Sequence, residues 1–176
     1  MKKLKFQRLA DIIIFAMLGT IMFISKILME AFPNIHFIGM LTMVYTIVYR
    51  KKALIPIYVY VFLNGIYAGF SPWWIPYLYV WTVLWAVTMA LPKNMSKKVA
   101  VPVYAVVCAL HGLCFGIIYA PAQALMFHLN LKATVAWIAS GIPFDAIHAL
   151  GNLAAGLLIV PLSEALKKVH NPKTAK

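Results

Sequence analysis

The chain has 176 residues, of which 64% are hydrophobic and only 11% charged, with a mean hydropathy of +0.86. A soluble domain of this length cannot hide that much apolar surface from water, so the composition excludes an ordinary aqueous globule. The formal charge of +12 does not point to nucleic acid, because the basic residues sit at the ends of apolar runs and not on a polar face; acidic lipid headgroups are the simpler partner.

Of the 16 Lys and Arg, only Lys26 and Lys132 fall outside four clusters: Lys2/Lys3/Lys5/Arg8, Arg50/Lys51/Lys52, Lys93/Lys97/Lys98 and Lys167/Lys168/Lys173/Lys176. If each intervening apolar stretch crosses a bilayer in turn, all four clusters land on one side, as the positive-inside rule expects of a cytoplasmic face. The expected fold is therefore all-α: one transmembrane domain over 1–176, six helices, both termini cytoplasmic. The expected location is a bacterial cytoplasmic membrane, crossed several times.

A crossing takes ~20 apolar residues. The first expected span covers about 10–29. Lys2 to Arg8 followed by Ile12 to Ile24 resembles a signal peptide, but no small-x-small site follows, so the segment is read as a retained helix. The second covers about 36–49 and is short. The third runs over about 53–70 and the fourth over about 76–91, closed by Leu91-Pro92. The fifth covers about 100–120 and the sixth about 134–162. The inner turns are small and basic (YRKK, PKNMSKK), whereas the outer loops EAFPNIHF (30–37), GFSPWWIPY (69–77) and YAPAQALMFHLNLK (119–132) are aromatic and Pro-rich. Trp and Tyr favour the membrane interface, so these loops read either as an interfacial belt or as a shaped lid. Leu125, Met126, Leu129 and Leu131 suggest a short helix over the bundle within 119–132.

Ionisable groups at membrane depth are expensive and carry functional hypotheses. Asp145 lies about eleven residues into the sixth span, roughly 16 Å. His148 and Asn152 follow at i+3 and i+7 on the same face. They line either a polar cavity or a structural knot, in which Asp145 bonds a neighbouring helix, for example at His111. Tyr60, Asn64 and Tyr67 share one face of the third span, and Tyr77, Trp81 and Trp85 one face of the fourth. Such stripes are packing or the wall of a pocket for a planar organic ligand. Cys108 and Cys114 point to different helix faces and read as core residues. No HxxxH, HExxH, CxxC, GxSxG or GxxxxGK[ST] is present, so no metal site, no cofactor and no catalytic machinery is expected.

The size, the six spans, the Phe32-Pro33-Asn34-Ile35 loop before a short second span, the YRKKAL turn (49–54) and the GFSPWWIPYLYVW segment (69–81) together make the chain resemble the substrate-binding S component of an energy-coupling factor (ECF) transporter. The resemblance covers nearly the whole chain. It implies a non-enzymatic subunit that captures a vitamin or related micronutrient from outside. A transmembrane coupling subunit and two ABC ATPases then drive import, ATP hydrolysis being theirs. It places ligand contacts at Asn34, His36, Trp73, Trp74, Tyr77, Trp81 and His128, with Asp145, His148 and Asn152 as the floor. It places partner docking at Ala16, Gly19 and Thr20, where the family's Ala-x-x-x-Ala pattern is replaced by Ala16-x-x-x-Thr20. The Met-Lys-Lys start departs from the Met-His terminus of nickel and cobalt members, which leaves an organic cargo; cobalamin and a queuosine precursor lead. The competing class is a membrane scaffold of the rod-shape-determining type, which needs a protein-binding surface but no sealed polar pocket. Five-span tryptophan-rich sensory proteins and a small intramembrane lipid enzyme are further alternatives.

Overall fold

Apolar runs of this length, broken by Gly, Pro and basic turns, satisfy their backbone within each segment by coiling into helices. The computed structural model describes the backbone of residues 2–170 and the side chains of 9–170. Among these residues there are eight α-helical segments and no strand. They are α1 (Lys2–Leu28), α2 (Ile38–Tyr49), α3 (Leu54–Ala68), α4 (Tyr77–Ala90), α5 (Lys97–Leu113), α6 (Phe115–Met126), α7 (Leu131–Gly156) and α8 (Ile159–His170). Short 3-10 turns at Arg50–Ala53 and Pro72–Trp74 precede α3 and α4.

Three stretches are long and apolar enough to cross a membrane: Leu9–Leu28, the nearly continuous α5–α6 rod Lys97–Met126, and α7. The helices α2, α3 and α4, of 12, 15 and 14 residues, span only about 18–23 Å at 1.5 Å per residue. Helix ends follow local chemistry. Gly69 adopts φ 88° to stop α3, and Leu91-Pro92 stops α4, since the residue before proline leaves the helical region.

The expected loop 119–132 is mostly helix. Only residues 127–130 turn, and α7 starts because the Asn130 side chain accepts from Ala133 N–H at 2.9 Å. This is an ordinary N-cap. Pro121, which suggested a loop, sits inside α6. The sixth expected span divides near residue 157 into α7 and α8.

The helix α2 packs against α1, α4, α5, α7 and α8 and is buried along most of its length. Buried Met22, Ile38, Met43, Ile57, Leu84 and Ile159 form the core around it. The outside is as apolar as the inside. Ile12, Met17, Ile21 and Ile24 of α1, Ile55 and Phe62 of α3, Leu110 and Ile117 of α5–α6, and Ile142, Phe144 and Leu150 of α7 are all exposed. Meanwhile Asn64, His111, Asp145, His148 and Asn152 are buried. This broad apolar exterior, with several polar side chains inside, is compatible with a protein solvated by hydrocarbon.

Basic residues gather at one end. Lys52 Nζ pairs with Asp11 Oδ2 at 2.8 Å, joining the α2–α3 turn to the start of α1. Arg50 Nη2 donates to the Met89 carbonyl at 2.9 Å, and its own carbonyl accepts from Trp85 Nε1 at 3.1 Å. These two bonds to α4 hold Arg50 at φ 54°, a conformation that non-glycine residues rarely adopt. Lys97 pairs with Glu164, joining α5 to α8. Side chains of Lys2, Lys3, Lys5 and Arg8, and all of Lys173 and Lys176, lie outside the described residues. At the other end Glu30 meets Lys26 at 2.9 Å and Tyr67 Oη at 3.3 Å. The hydrogen bond from Lys26 and its charge hold the Glu30 carboxyl below its ordinary value.

Candidate functional site

The helices α5–α6 and α7 run antiparallel in tight register, and this seam places the polar groups. Hydrogen bonds and close approaches pair Ala105 with Gly156, Cys108 with Asn152, Gly112 with Ala149 and Gly116 with Asp145. One side of the seam is Ala, Cys, Gly, Gly at spacings of three or four residues, so the backbones approach closely. Two polar side chains cross it. Asn152 Nδ2 donates to the Cys108 carbonyl at 3.1 Å. Asp145 Oδ2 accepts from Gly116 N–H at 3.1 Å, in the first turn of α6, where helices carry unpaired N–H groups. The partner of Asp145 is thus this backbone amide and not His111.

Asp145→Asn, which keeps an acceptor oxygen, is expected to melt within about 2 °C of the wild type. Asp145→Leu leaves the amide bare, a loss of about 1–3 kcal/mol, and is expected to melt about 3–8 °C lower. Thermal melts in detergent read both; equal melting of the two variants contradicts the bond's role.

His148, between Asp145 and Asn152 on α7, points into an aromatic and imidazole cluster centred on Trp81. Trp81 is only 1% exposed. Its ring centroid lies 5.9 Å from His36, 5.7 Å from His111, 6.0 Å from Phe115, 6.0 Å from Tyr77 and 6.2 Å from Tyr60. His148 closes the ring, 4.7 Å from His36 and 5.0 Å from Phe115. Two ladders of rings lead from the loop end to this centre. One is Trp73–Tyr77–Trp81, and the other is Trp137–Tyr119–Phe115. Tyr119 ties them together by donating to the Trp73 carbonyl at 2.7 Å.

The cluster is rich in unpaired polar atoms. His111 Nε2 lies 3.1 Å from the Val80 carbonyl. A carbonyl only accepts, so that nitrogen carries the proton and Nδ1 is a bare acceptor. His111 Nδ1, His36 Nδ1, His148 Nε2 and Trp81 Nε1 are all buried without a hydrogen-bond partner. Orphaned groups cost free energy away from water, and four of them meet in this one cluster. Among the described residues no group of three or more His, Cys, Asp or Glu is arranged to hold a metal.

Of the residues that sequence reasoning named, the structure brings together His36, Tyr77, Trp81 and His148, with Trp73 edge-to-face on Tyr77. Asp145 and Asn152 flank His148 but bond the α5–α6 backbone. Trp74 turns away, donating to the Val61 carbonyl at 2.8 Å and packing on Phe70. His128 is exposed beyond α6 at φ 52°, and half-buried Asn34 turns the 30–37 loop at φ 62°; neither joins the ring contacts of the cluster. His111, Phe115 and Tyr119 were missed as a set, although their spacing of four residues puts them on one helical face. On α1, Gly19 faces α3: a Cβ there would stand 2.6 Å from Val59 and 2.8 Å from the Pro56 carbonyl. Ala16 and Thr20 are exposed, and Ala16 lines a groove of about 320 Å³ with Ile12, Phe15, Ile55 and Val59.

No protein-family model, no curated protein and no solved structure matches this chain.

Proposed function

We propose that the chain is the substrate-binding S component of an ECF-type importer, set in a bacterial cytoplasmic membrane. Its six helical rods cross in turn, and its basic end and both termini face the cytoplasm. The observation that carries this reading is the enclosed Trp81 cluster, in which unpaired imidazole and indole nitrogens are reached by two aromatic ladders from the end opposite the basic residues. Rings that stack, and buried groups that both donate and accept, suit a planar heterocycle. A queuosine precursor is therefore favoured over cobalamin, whose bulk makes larger demands on the enclosure. The 3-10 turns lengthen α3 and α4 towards a full crossing, and α2 is shielded from lipid by its neighbours. The groove beside Ala16 is the docking face for a transmembrane coupling subunit, with two ABC ATPases beyond it, and the chain itself catalyses nothing.

The test is a thermal-shift panel on the purified protein in detergent with queuosine-precursor bases, cobalamin and the other water-soluble vitamins. A ligand present at about 100 times its Kd stabilises the folded state by ~2.7 kcal/mol, a rise in Tm of about 5–10 °C. One compound is expected to give such a rise. A flat response to the whole panel counts against a binding subunit and favours the scaffold reading.

A further inference from the structure

One more buried polar atom without a partner, Ser163 Oγ, lies at the basic end among a group of lysines, away from the Trp81 cluster. There α5 and α8 splay around a cavity of about 100 Å³, whose polar lining is Lys93, Lys97, Lys167, Glu164, Ser163 and Tyr104. The charges are unbalanced. Glu164 is already engaged by Lys97 Nζ, at 2.7 Å to Oε1 and 2.9 Å to Oε2. Among the described residues Lys93 and Lys167 have no carboxylate within ion-pair reach. Ser163 is 3% exposed, and its Oγ is buried with no hydrogen-bond partner. Ile47, Met95, Ala100 and Val160 complete the wall, and Lys93 and Lys167 line it from exposed positions. Two free ammonium groups and an orphaned hydroxyl around a small cavity complement a tetrahedral oxyanion.

We propose that this cavity is a binding site for a phosphate group, either the phosphodiester of an anionic membrane lipid or a free phosphate. Its surroundings suit the lipid. The helices that wall it carry exposed Val99 and Val106 on α5 and Leu162 on α8, over which acyl chains can run. Basic pockets between helices at the charged face of a membrane protein hold anionic headgroups in this way. The site stands independently of the transport reading.

The experiment melts the purified full chain in a neutral detergent with added phosphatidylglycerol, phosphatidylcholine or millimolar inorganic phosphate. Lys93→Gln/Lys167→Gln is compared with Lys51→Gln/Lys98→Gln, which removes the same charge from exposed positions outside the cavity. Phosphatidylglycerol is expected to raise Tm by about 3 °C or more in the wild type and in Lys51→Gln/Lys98→Gln. The rise should fall below half in Lys93→Gln/Lys167→Gln, and phosphatidylcholine should give none. A comparable, cavity-dependent rise with inorganic phosphate assigns the same site to a free phosphate. Equal lipid shifts in the two double variants, a phosphatidylcholine shift as large as that of phosphatidylglycerol, or no shift with either phosphate probe overturns the proposal.

Discussion

Gly156→Leu is expected to abolish the native packing of α7 on α5. A Cβ at Gly156 would stand 2.6 Å from the Ala105 Cα and 3.2 Å from its Cβ. The obstacle is main chain and not the far end of a flexible side chain, so no rotamer change relieves it. The two rods must separate, and the separation is not local. Along the same seam a Cβ at Gly112 would meet the Ala149 N and the His148 carbonyl carbon at 3.0 Å, and the Asn152–Cys108 and Asp145–Gly116 bonds depend on the same spacing. Overpacking a tight core costs ~1–3 kcal/mol per site where side chains can yield; backbone contact with loss of two buried hydrogen bonds exceeds that. The expected result is a Tm lower by at least about 6–12 °C, or no recoverable folded protein. Gly141→Leu is the control. It is in the same helix, but its Cβ meets nothing within 4 Å, and replacing a helical Gly gains up to ~1 kcal/mol of propensity. Its Tm should stay level or rise. Equal damage from both would mean that the seam does not govern stability.

That seam shows where sequence reading reached and where it stopped. Helix positions were legible because apolar runs and basic turns are local signals. The expected spans 36–49, 53–70 and 76–91 correspond to α2, α3 and α4 within a few residues. The clustering of Arg50, Lys97 and their neighbours at one end was legible for the same reason, since charge at the end of each run fixes which way the run points. The polar face Asp145/His148/Asn152 was legible as a face, but its partners were not. Whether Asp145 bonds His111 or the Gly116 amide depends on the register of α7 against α5–α6, which periodicity within one helix does not determine. The 119–132 stretch was read with the other Pro-rich outer loops, yet Pro121 sits inside α6. The stronger local signal was Asn130, which caps α7 and leaves only residues 127–130 to turn. Trp74 and His128 were placed among the ligand contacts only by the resemblance, through their position in the outer loops. The 3-10 turn rotates Trp74 onto α3, opposite in sense to its neighbour Trp73, which meets Tyr77 edge to face.

Trp81 separates packing from recognition. It is the largest fully buried side chain and touches rings on α3, α5, α6 and the loop before α2. Trp81→Ala removes all of those contacts, and truncations of this kind cost about 3–5 kcal/mol. Its melting temperature should fall by about 6–20 °C, and ligand binding should be lost with it, a result that does not distinguish a pocket from a core. Trp81→Phe is the informative change. The smaller ring keeps most of the contact area but lacks the indole N–H, which has no partner within the chain. Deleting an unpaired buried donor carries no hydrogen-bond loss in the empty protein and relieves a desolvated polar group, which offsets part of the lost volume. The variant should therefore melt within a few degrees of the wild type. If the indole N–H bonds the ligand that the thermal-shift panel identifies, Trp81→Phe weakens that ligand by about 0.5–1.5 kcal/mol, a factor of roughly 2–10 in Kd, while leaving the apo protein nearly unchanged. A Trp81→Phe protein with unaltered affinity would assign the indole to packing alone, and recognition would then rest on the unpaired nitrogens of His36, His111 and His148.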